Sequence, residues 1–139
     1  MVFSYGGASW FPTDLTARSV QRLAVDPNHS QTIYAGTLSG VFKSSDGGAN
    51  WFAVNRGLTN LDVRAIVIDP NDSATIYVGG FGEGGVFKST NGADSWAEMG
   101  PHEIGVRGLA IDPNDSATVY VATFQNSVIV SHDRGKTWY

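Results

Sequence analysis

The sequence predicts an all-β chain of three four-stranded units, and three observations carry that prediction. A nine-residue segment recurs with a period of 43: Val20-Gln21-Arg22-Leu23-Ala24-Val25-Asp26-Pro27-Asn28 returns as Val63-Arg64-Ala65-Ile66-Val67-Ile68-Asp69-Pro70-Asn71 and as Val106-Arg107-Gly108-Leu109-Ala110-Ile111-Asp112-Pro113-Asn114. Each copy continues into a stretch holding Tyr34, Tyr77 or Tyr120 and closes on Trp51, Trp96 or Trp138. No stretch has the i, i+3, i+4 apolar spacing of a surface helix.

The elements follow in order, and the second copy illustrates them. Its first strand, about 62–68, is β-branched and largely apolar, as expected of a strand covered on both faces. Asp69-Pro70-Asn71 ends it, because proline donates nothing to a ladder and Asp and Asn cap turns with their side chains. The second strand is Thr75–Gly80, a Gly-rich hairpin follows, and the third strand is Val86–Ser89, matched by 40–44 and 127–131. The fourth is expected to begin at the tryptophan, which gives twelve short strands in all. Four antiparallel strands in about 40–45 residues is the size of one β-propeller blade. A lone blade cannot cover both faces of its sheet, so such units need a neighbour on each side. The expected blades are 1–14 (a last strand only), 15–56, 57–100 and 101–139 (its last strand supplied by a partner chain), within a single domain, 1–139.

Composition agrees. Among 139 residues there are 17 Gly, 4 Trp, 5 Tyr and 7 Phe, with 16% charged, which suits a compact chain of many tight turns. The net charge of −4 and the absence of any basic cluster argue against nucleic acid as a partner. No apolar run reaches the length of a membrane span, and the first ten residues do not read as a signal peptide, so no membrane partner is expected and the compartment stays open. The chain has no cysteine, which removes disulfides and thiolate metal sites.

The closing segments carry the most specific pattern. Ser131-His132-Asp133-Arg134-Gly135-Lys136-Thr137-Trp138 is Ser-x-Asp-x-Gly-x-Thr-Trp in full. Ser44-Ser45-Asp46-Gly47-Gly48-Ala49-Asn50-Trp51 differs only at Asn50, whereas Ser89-Thr90-Asn91-Gly92-Ala93-Asp94-Ser95-Trp96 has Asn91 for the Asp and Ala93 for the Gly. Residues Ser4 to Trp10 keep only the glycines and the Trp. This pattern resembles the Asp-box, or BNR, repeat of sialidases, sortilin-type receptors, xyloglucan-cleaving glycosidases and photosystem II assembly propellers, and the resemblance covers essentially the whole chain. Its chemistry is structural: the carboxylate accepts turn N–H groups, Gly supplies a positive φ, and the Trp ring covers the turn. In the families it resembles, the boxes lie away from the active site.

A first strand at about 9–12 and a third repeat whose fourth strand stops at Tyr139 are complementary. Three blades are too few for a ring, since propellers have at least four. The expectation is a homodimer of six blades with reciprocal strand exchange, which removes every open sheet edge. A trimer of nine blades, a larger filament, or a piece of a longer protein are the alternatives.

Catalytic constellations are missing from the pattern. The sialidase-type Phe-Arg-Ile-Pro segment is absent, His29, His102 and His132 stand at unrelated repeat positions, and Glu83, Glu98 and Glu103 have no motif to pair them. No cofactor or metal is expected. Candidate ligand-binding residues are Arg64 and Arg107 at equivalent positions of the innermost strand, Arg22 one residue off that register, His102, and Phe81 and Phe124, which align with Leu38 at the tip of the second hairpin. The arginines suit an anion or carboxylate, with pairing to Asp62 as the competing reading for Arg64; the aromatics suit sugar stacking or packing on the next blade. The loops 12–18, 56–61 and 100–104 differ most between copies, as function-bearing loops on a repeated scaffold do. Asn28, Asn71 and Asn114 each head an Asn-x-Ser sequence, a formal glycosylation acceptor that matters only in a eukaryotic secretory pathway; turn chemistry explains its recurrence. The functional expectation is a non-catalytic binding or scaffolding propeller that holds a glycan or a protein, the alternative being a relative or fragment of an Asp-box glycosidase.

Overall fold

The computed structural model describes residues 3–5, 8–10, 12–15, 19–82 and 84–139, with side chains from residue 12 onward. Its strands are β1 Phe3–Tyr5, β2 Ala8–Trp10, β3 Val20–Val25, β4 Ile33–Thr37, β5 Gly40–Ser44, β6 Phe52–Ala53, β7 Ala65–Asp69, β8 Asp72–Gly79, β9 Val86–Ser89, β10 Ala97–Gly100, β11 Val106–Asp112, β12 Asp115–Thr123 and β13 Val128–Ser131. They form antiparallel sheets in the orders β3-β4-β5-β6, β7-β8-β9-β10 and β11-β12-β13, with β1-β2 as a separate hairpin. These three sheets are the first, second and third blades. No helix occurs among the described residues.

Several boundaries differ from the sequence reading, each for a hydrogen-bonding reason. The second blade's first strand starts at Ala65 because the Val63 N–H turns away to the Thr37 carbonyl of the preceding blade, across 2.9 Å. The fourth strands start one residue after the tryptophan, since the Trp96 N–H is held by the Arg56 carbonyl at 2.8 Å. Residues 8–10 do not stand alone: they pair with Phe3–Tyr5, so their ladder groups are met locally rather than in a blade sheet. Tyr139 exchanges two backbone bonds with Val130, at 2.9 and 3.2 Å, in the register where Phe52 pairs with Lys43 and Ala97 with Lys88.

Each Asp-box is a closed network in which the serine is the hub. The Ser44 hydroxyl accepts the Gly48 N–H at 2.8 Å and donates to Asp46 Oδ1 at 2.9 Å; Asp46 in turn accepts the Asn50 N–H at 2.9 Å and Asn50 Nδ2 at 2.8 Å. Ser131, Asp133 and Thr137 repeat this, with the Gly135 N–H donating to Ser131 Oγ at 2.8 Å and the Thr137 hydroxyl donating to Asp133 at 2.6 Å. Side-chain and backbone bonds from residue 50 or 137, plus the serine, hold both carboxyls down from 3.8 to about 2. The second box keeps the geometry without the charge. Asn91 Oδ1 accepts from Ser89 and from the Ser95 N–H, while Asn91 Nδ2 donates to the Ser95 hydroxyl at 2.8 Å. Ala93 takes φ 75°, where Gly48 has 95° and Gly135 has 87°.

Neighbouring blades are joined by one repeated junction. In the first, Tyr34 and Val41 pack on Ile66, Ile68, Ile76, Val78 and Phe87. In the second, Ala65, Tyr77 and Val86 pack on Val106, Ile111, Val119 and Val121. Polar bonds frame these cores. The Asn28 Nδ2 donates to the Pro70 carbonyl and to Ser73 Oγ, both at 3.1 Å; Asn71 does the same to Pro113 at 3.0 Å and Ser116 at 3.1 Å. The Tyr34 hydroxyl and Lys43 Nζ both donate to the Gly92 carbonyl, and Tyr77 and Lys88 to that of Arg134. Burial pushes the Tyr34 and Tyr77 phenols up to about 12, so both stay protonated donors. The tryptophans add a third link: Trp96 Nε1 donates to the Val54 carbonyl at 2.7 Å and Trp138 Nε1 to that of Met99 at 3.2 Å, whereas Trp51 Nε1 bonds within its own box to Gly48.

Candidate functional site

Antiparallel order puts the Asp-box turns and the Asp-Pro-Asn turns at one end of each sheet. The β4–β5, β8–β9 and β12–β13 hairpins lie at the other end, and the candidate site forms there. Phe81 follows β8 and Phe124 follows β12, and their rings meet edge to face with centroids 5.4 Å apart. The Arg64 guanidinium lies 5.7 Å from the Phe81 centroid and that of Arg107 lies 4.7 Å from Phe124. The result is a ladder across two blades, Arg64–Phe81–Phe124–Arg107.

Two glycines let the backbone and rings come this close. A Cβ on Gly80 would sit 1.6 Å from the Asp62 carbonyl oxygen, and one on Gly105 would sit 2.8 Å from Phe124 Cδ2. The loop before β7 is tied to the hairpin by Asn60 Nδ2, which donates to the Phe81 carbonyl at 3.0 Å. Asp62 Oδ1 accepts Arg64 Nε at 2.7 Å, and Oδ2 accepts Nη2 at 3.2 Å. That two-point bond raises the Arg64 pKa and fixes the guanidinium plane.

The two ends of the ladder therefore differ. Arg64 is neutralised by Asp62, while Arg107 is exposed and meets no carboxylate among the described residues. Phe81 is 57% exposed. A guanidinium over an aromatic face gains roughly 0.5–2 kcal/mol and keeps its N–H edge free for a ligand. The arrangement offers an apolar ring face, a free cation and a backbone rim. Among the described residues it offers no nucleophile and no carboxylate pair.

Arg22 and His102 are not part of it. Arg22 pairs across to Gly36, the register held by Ala65 in the second blade, and lies in a surface groove with Val20, Gln21 and Leu23. His102 Nδ1 contacts Glu98 Oε1 at 2.6 Å. Leu38 is half-buried and adds no ring. Glu83 lies outside the described residues. Among the described residues no group of three or more His, Asp or Glu gathers that could hold a metal, and no helix is long and apolar enough to cross a membrane. The box pattern names the serine but not its role as hub, and the Asn-x-Ser recurrence names Ser73 and Ser116 but not their partners on the neighbouring blade.

No family model and no curated protein matches the chain. Solved structures do. An ancestral GH74 enzyme superimposes over 94% of this chain with TM-score 0.75 at 23% identity, and the GH74 enzyme of Niastella koreensis over 85% with TM-score 0.72 at 28% identity. YCF48 bound to D1 peptide superimposes over 93% with TM-score 0.70 at 18% identity. The chain has the fold of Asp-box β-propeller blades. It spans 19% and 20% of the two GH74 chains and 42% of the YCF48 chain, so it is similar to a fragment of each.

Proposed function

We propose that this propeller segment is a non-catalytic binding module whose ligand, a glycan, lies along the Arg64–Phe81–Phe124–Arg107 ladder. The observation that carries the reading is the exposed Phe81 ring, edge to face with Phe124, and the Arg107 guanidinium over Phe124 with no carboxylate partner among the described residues. A pyranose ring presents a face of C–H groups to an aromatic ring, and its hydroxyls or a carboxylate accept from Arg107. The same surface would meet a protein ligand through an exposed acidic side chain, which is the competing occupant. The module is proposed to act as a ring of six blades made by two copies, which covers the blade faces left open in one chain.

A glycan array probed with the wild-type chain tests this, followed by calorimetry on the best hit. Phe81→Ala and Arg107→Ala are each expected to weaken binding about tenfold or more. Binding unchanged in both variants, or no glycan bound, contradicts the glycan reading.

A second reading rests on the likeness to GH74 enzymes, one of which is described as a xyloglucanase. Glycoside hydrolysis uses two carboxyl groups about 5–10 Å apart. Among the described residues Asp62 stands at the ladder, and it is engaged by Arg64. Release of reducing sugar from xyloglucan, abolished by one Asp or Glu substitution, would favour this reading over binding alone.

A further inference from the structure

The two junctions inside the chain use one set of parts, and both halves of that set recur at the outer blades without a counterpart among the described residues. The third blade carries the half that the first and second blades present forward: Asp112 and Asn114 for Asp26 and Asn28, Tyr120 for Tyr34, and the strip Gly108, Ala110, Ala122 and Val128. The first blade carries the receiving half: the Pro27 carbonyl and Ser30 for Pro70 and Ser73, the Gly47 carbonyl for that of Gly92, and Leu23 and Val25 for Ile66 and Ile68.

Exposure identifies these surfaces as unpaired junction halves. Tyr120 is 43% and Val128 68% exposed, whereas their counterparts in the second blade, Tyr77 and Val86, are 1% and 0%. Leu23 and Val25 are 59% and 54% exposed against 8% and 7% for Ile66 and Ile68. Apolar side chains arranged on a sheet face to match a partner are a docking surface. One element has changed: Val130 replaces the lysine that caps the neighbour's box carbonyl in both internal junctions. Tyr120 alone is left to make that bond.

We propose that the open face of the third blade docks on the open face of the first blade of a second copy, head to tail, through this junction. The occupant is a second copy because the Pro27 and Gly47 carbonyls, Ser30, Leu23 and Val25 stand in register at the far end of the same chain. This deepens the ring reading by fixing which faces meet. Such an interface is heterologous: it uses two different patches and closes a ring only if the rotation permits. The alternative for a dimer is an isologous contact in which one patch meets itself.

Paired blocking substitutions distinguish these outcomes by sedimentation equilibrium at micromolar concentration, without ligand. Leu23→Glu places a charge on the first-blade face and Tyr120→Glu on the third. The wild-type chain is expected to form an oligomer, and each variant alone a monomer, since every junction needs both faces. Mixed in equal amounts, they are expected to give a one-to-one heterodimer that grows no further, because one intact junction remains. Asn114→Ala is expected to weaken wild-type assembly about tenfold. Asn71→Ala, the same change at an internal junction, is expected to lower the melting temperature instead; the two together guard against misfolding as an explanation. A monomeric wild-type chain overturns the proposal. So does a Leu23→Glu or Tyr120→Glu variant that still dimerises alone, or a mixture that does not pair. A head-to-tail trimer would leave this junction standing while removing the two-copy ring.

Discussion

Ser73 donates its hydroxyl to Asp26 Oδ1 across 2.8 Å, from the second blade to the first. Ser116 makes the same bond to Asp69 at 2.9 Å. Both side chains are almost fully buried, so each junction closes on a buried acidic group that takes a donor from the adjoining blade. For Asp26, burial alone pushes the carboxyl up; the Asn28 N–H, the Ser73 hydroxyl and His29 together outweigh it and leave the carboxyl below its ordinary range.

Removing that donor should loosen the first junction. Ser73→Ala is expected to destabilise the chain by about 1.5–3 kcal/mol, the value of a hydrogen bond to a charged group. Urea denaturation checks it. Ser30→Ala, at the equivalent position of the first blade, is expected to weaken the proposed assembly rather than the fold of one chain.

The boxes should make stability acid-sensitive. Asp46 and Asp133 have folded values of about 2 against an ordinary 3.8. Their contribution is complete above the unfolded value and is lost as pH falls through the folded one. The melting temperature is therefore expected to fall between about pH 4 and pH 2.

The natural Asn91 box predicts an asymmetry between the two charged ones. Asp133→Asn can reuse the Asn91 arrangement, because the Thr137 hydroxyl, like that of Ser95, turns to accept. Asp46→Asn can do so only if the Asn50 amide turns over, since its Nδ2 now donates to residue 46 and would face a second donor. Asp46→Asn is expected to lower the melting temperature more than Asp133→Asn, while both flatten the acid transition. Equal losses would contradict this.

Trp96→Phe keeps a ring over the turn but leaves the Val54 carbonyl without its donor, and should cost about 1–3 kcal/mol. Trp51→Phe removes only a bond inside its own half-exposed box and should cost less. Thermal unfolding of the two variants in parallel gives the comparison.

Much of this was legible in the sequence. Residues 86–89 form a strand where the pattern puts one, and the two intact boxes close as their spacing requires. The recurrence of Asn-x-Ser is legible too, but its main reason is not. A turn explains the bond from the Asn71 N–H to Asp69, whereas the Asn71 side chain reaches Ser116, 45 residues away, which only stacked blades bring near. The ladder is half legible in the same way: alignment selects Phe81 and Phe124, and the junction supplies their contact. Arg22 stands one residue off the Arg64 and Arg107 register, and that single step pairs it with Gly36 instead, while His102 contacts Glu98, a partner that nothing in the repeat marks.

Gly80→Ala should break the site from beneath. Its Cβ would overlap the Asp62 carbonyl, so the loop holding Asp62 and Arg64 must move, with a loss of about 3 kcal/mol in stability. Glycan affinity is expected to fall with it, whereas Asn126→Gly, which relieves a positive φ of 62° on the exposed β12–β13 hairpin, should leave the ladder in place.

The account turns on whether unmet blade faces are met by copies of the same chain. Native mass spectrometry of the wild-type chain at micromolar concentration answers this most directly. A single dominant species of two chains is the predicted result, giving six blades in a closed ring. A persistent monomer with both outer faces bare would contradict it.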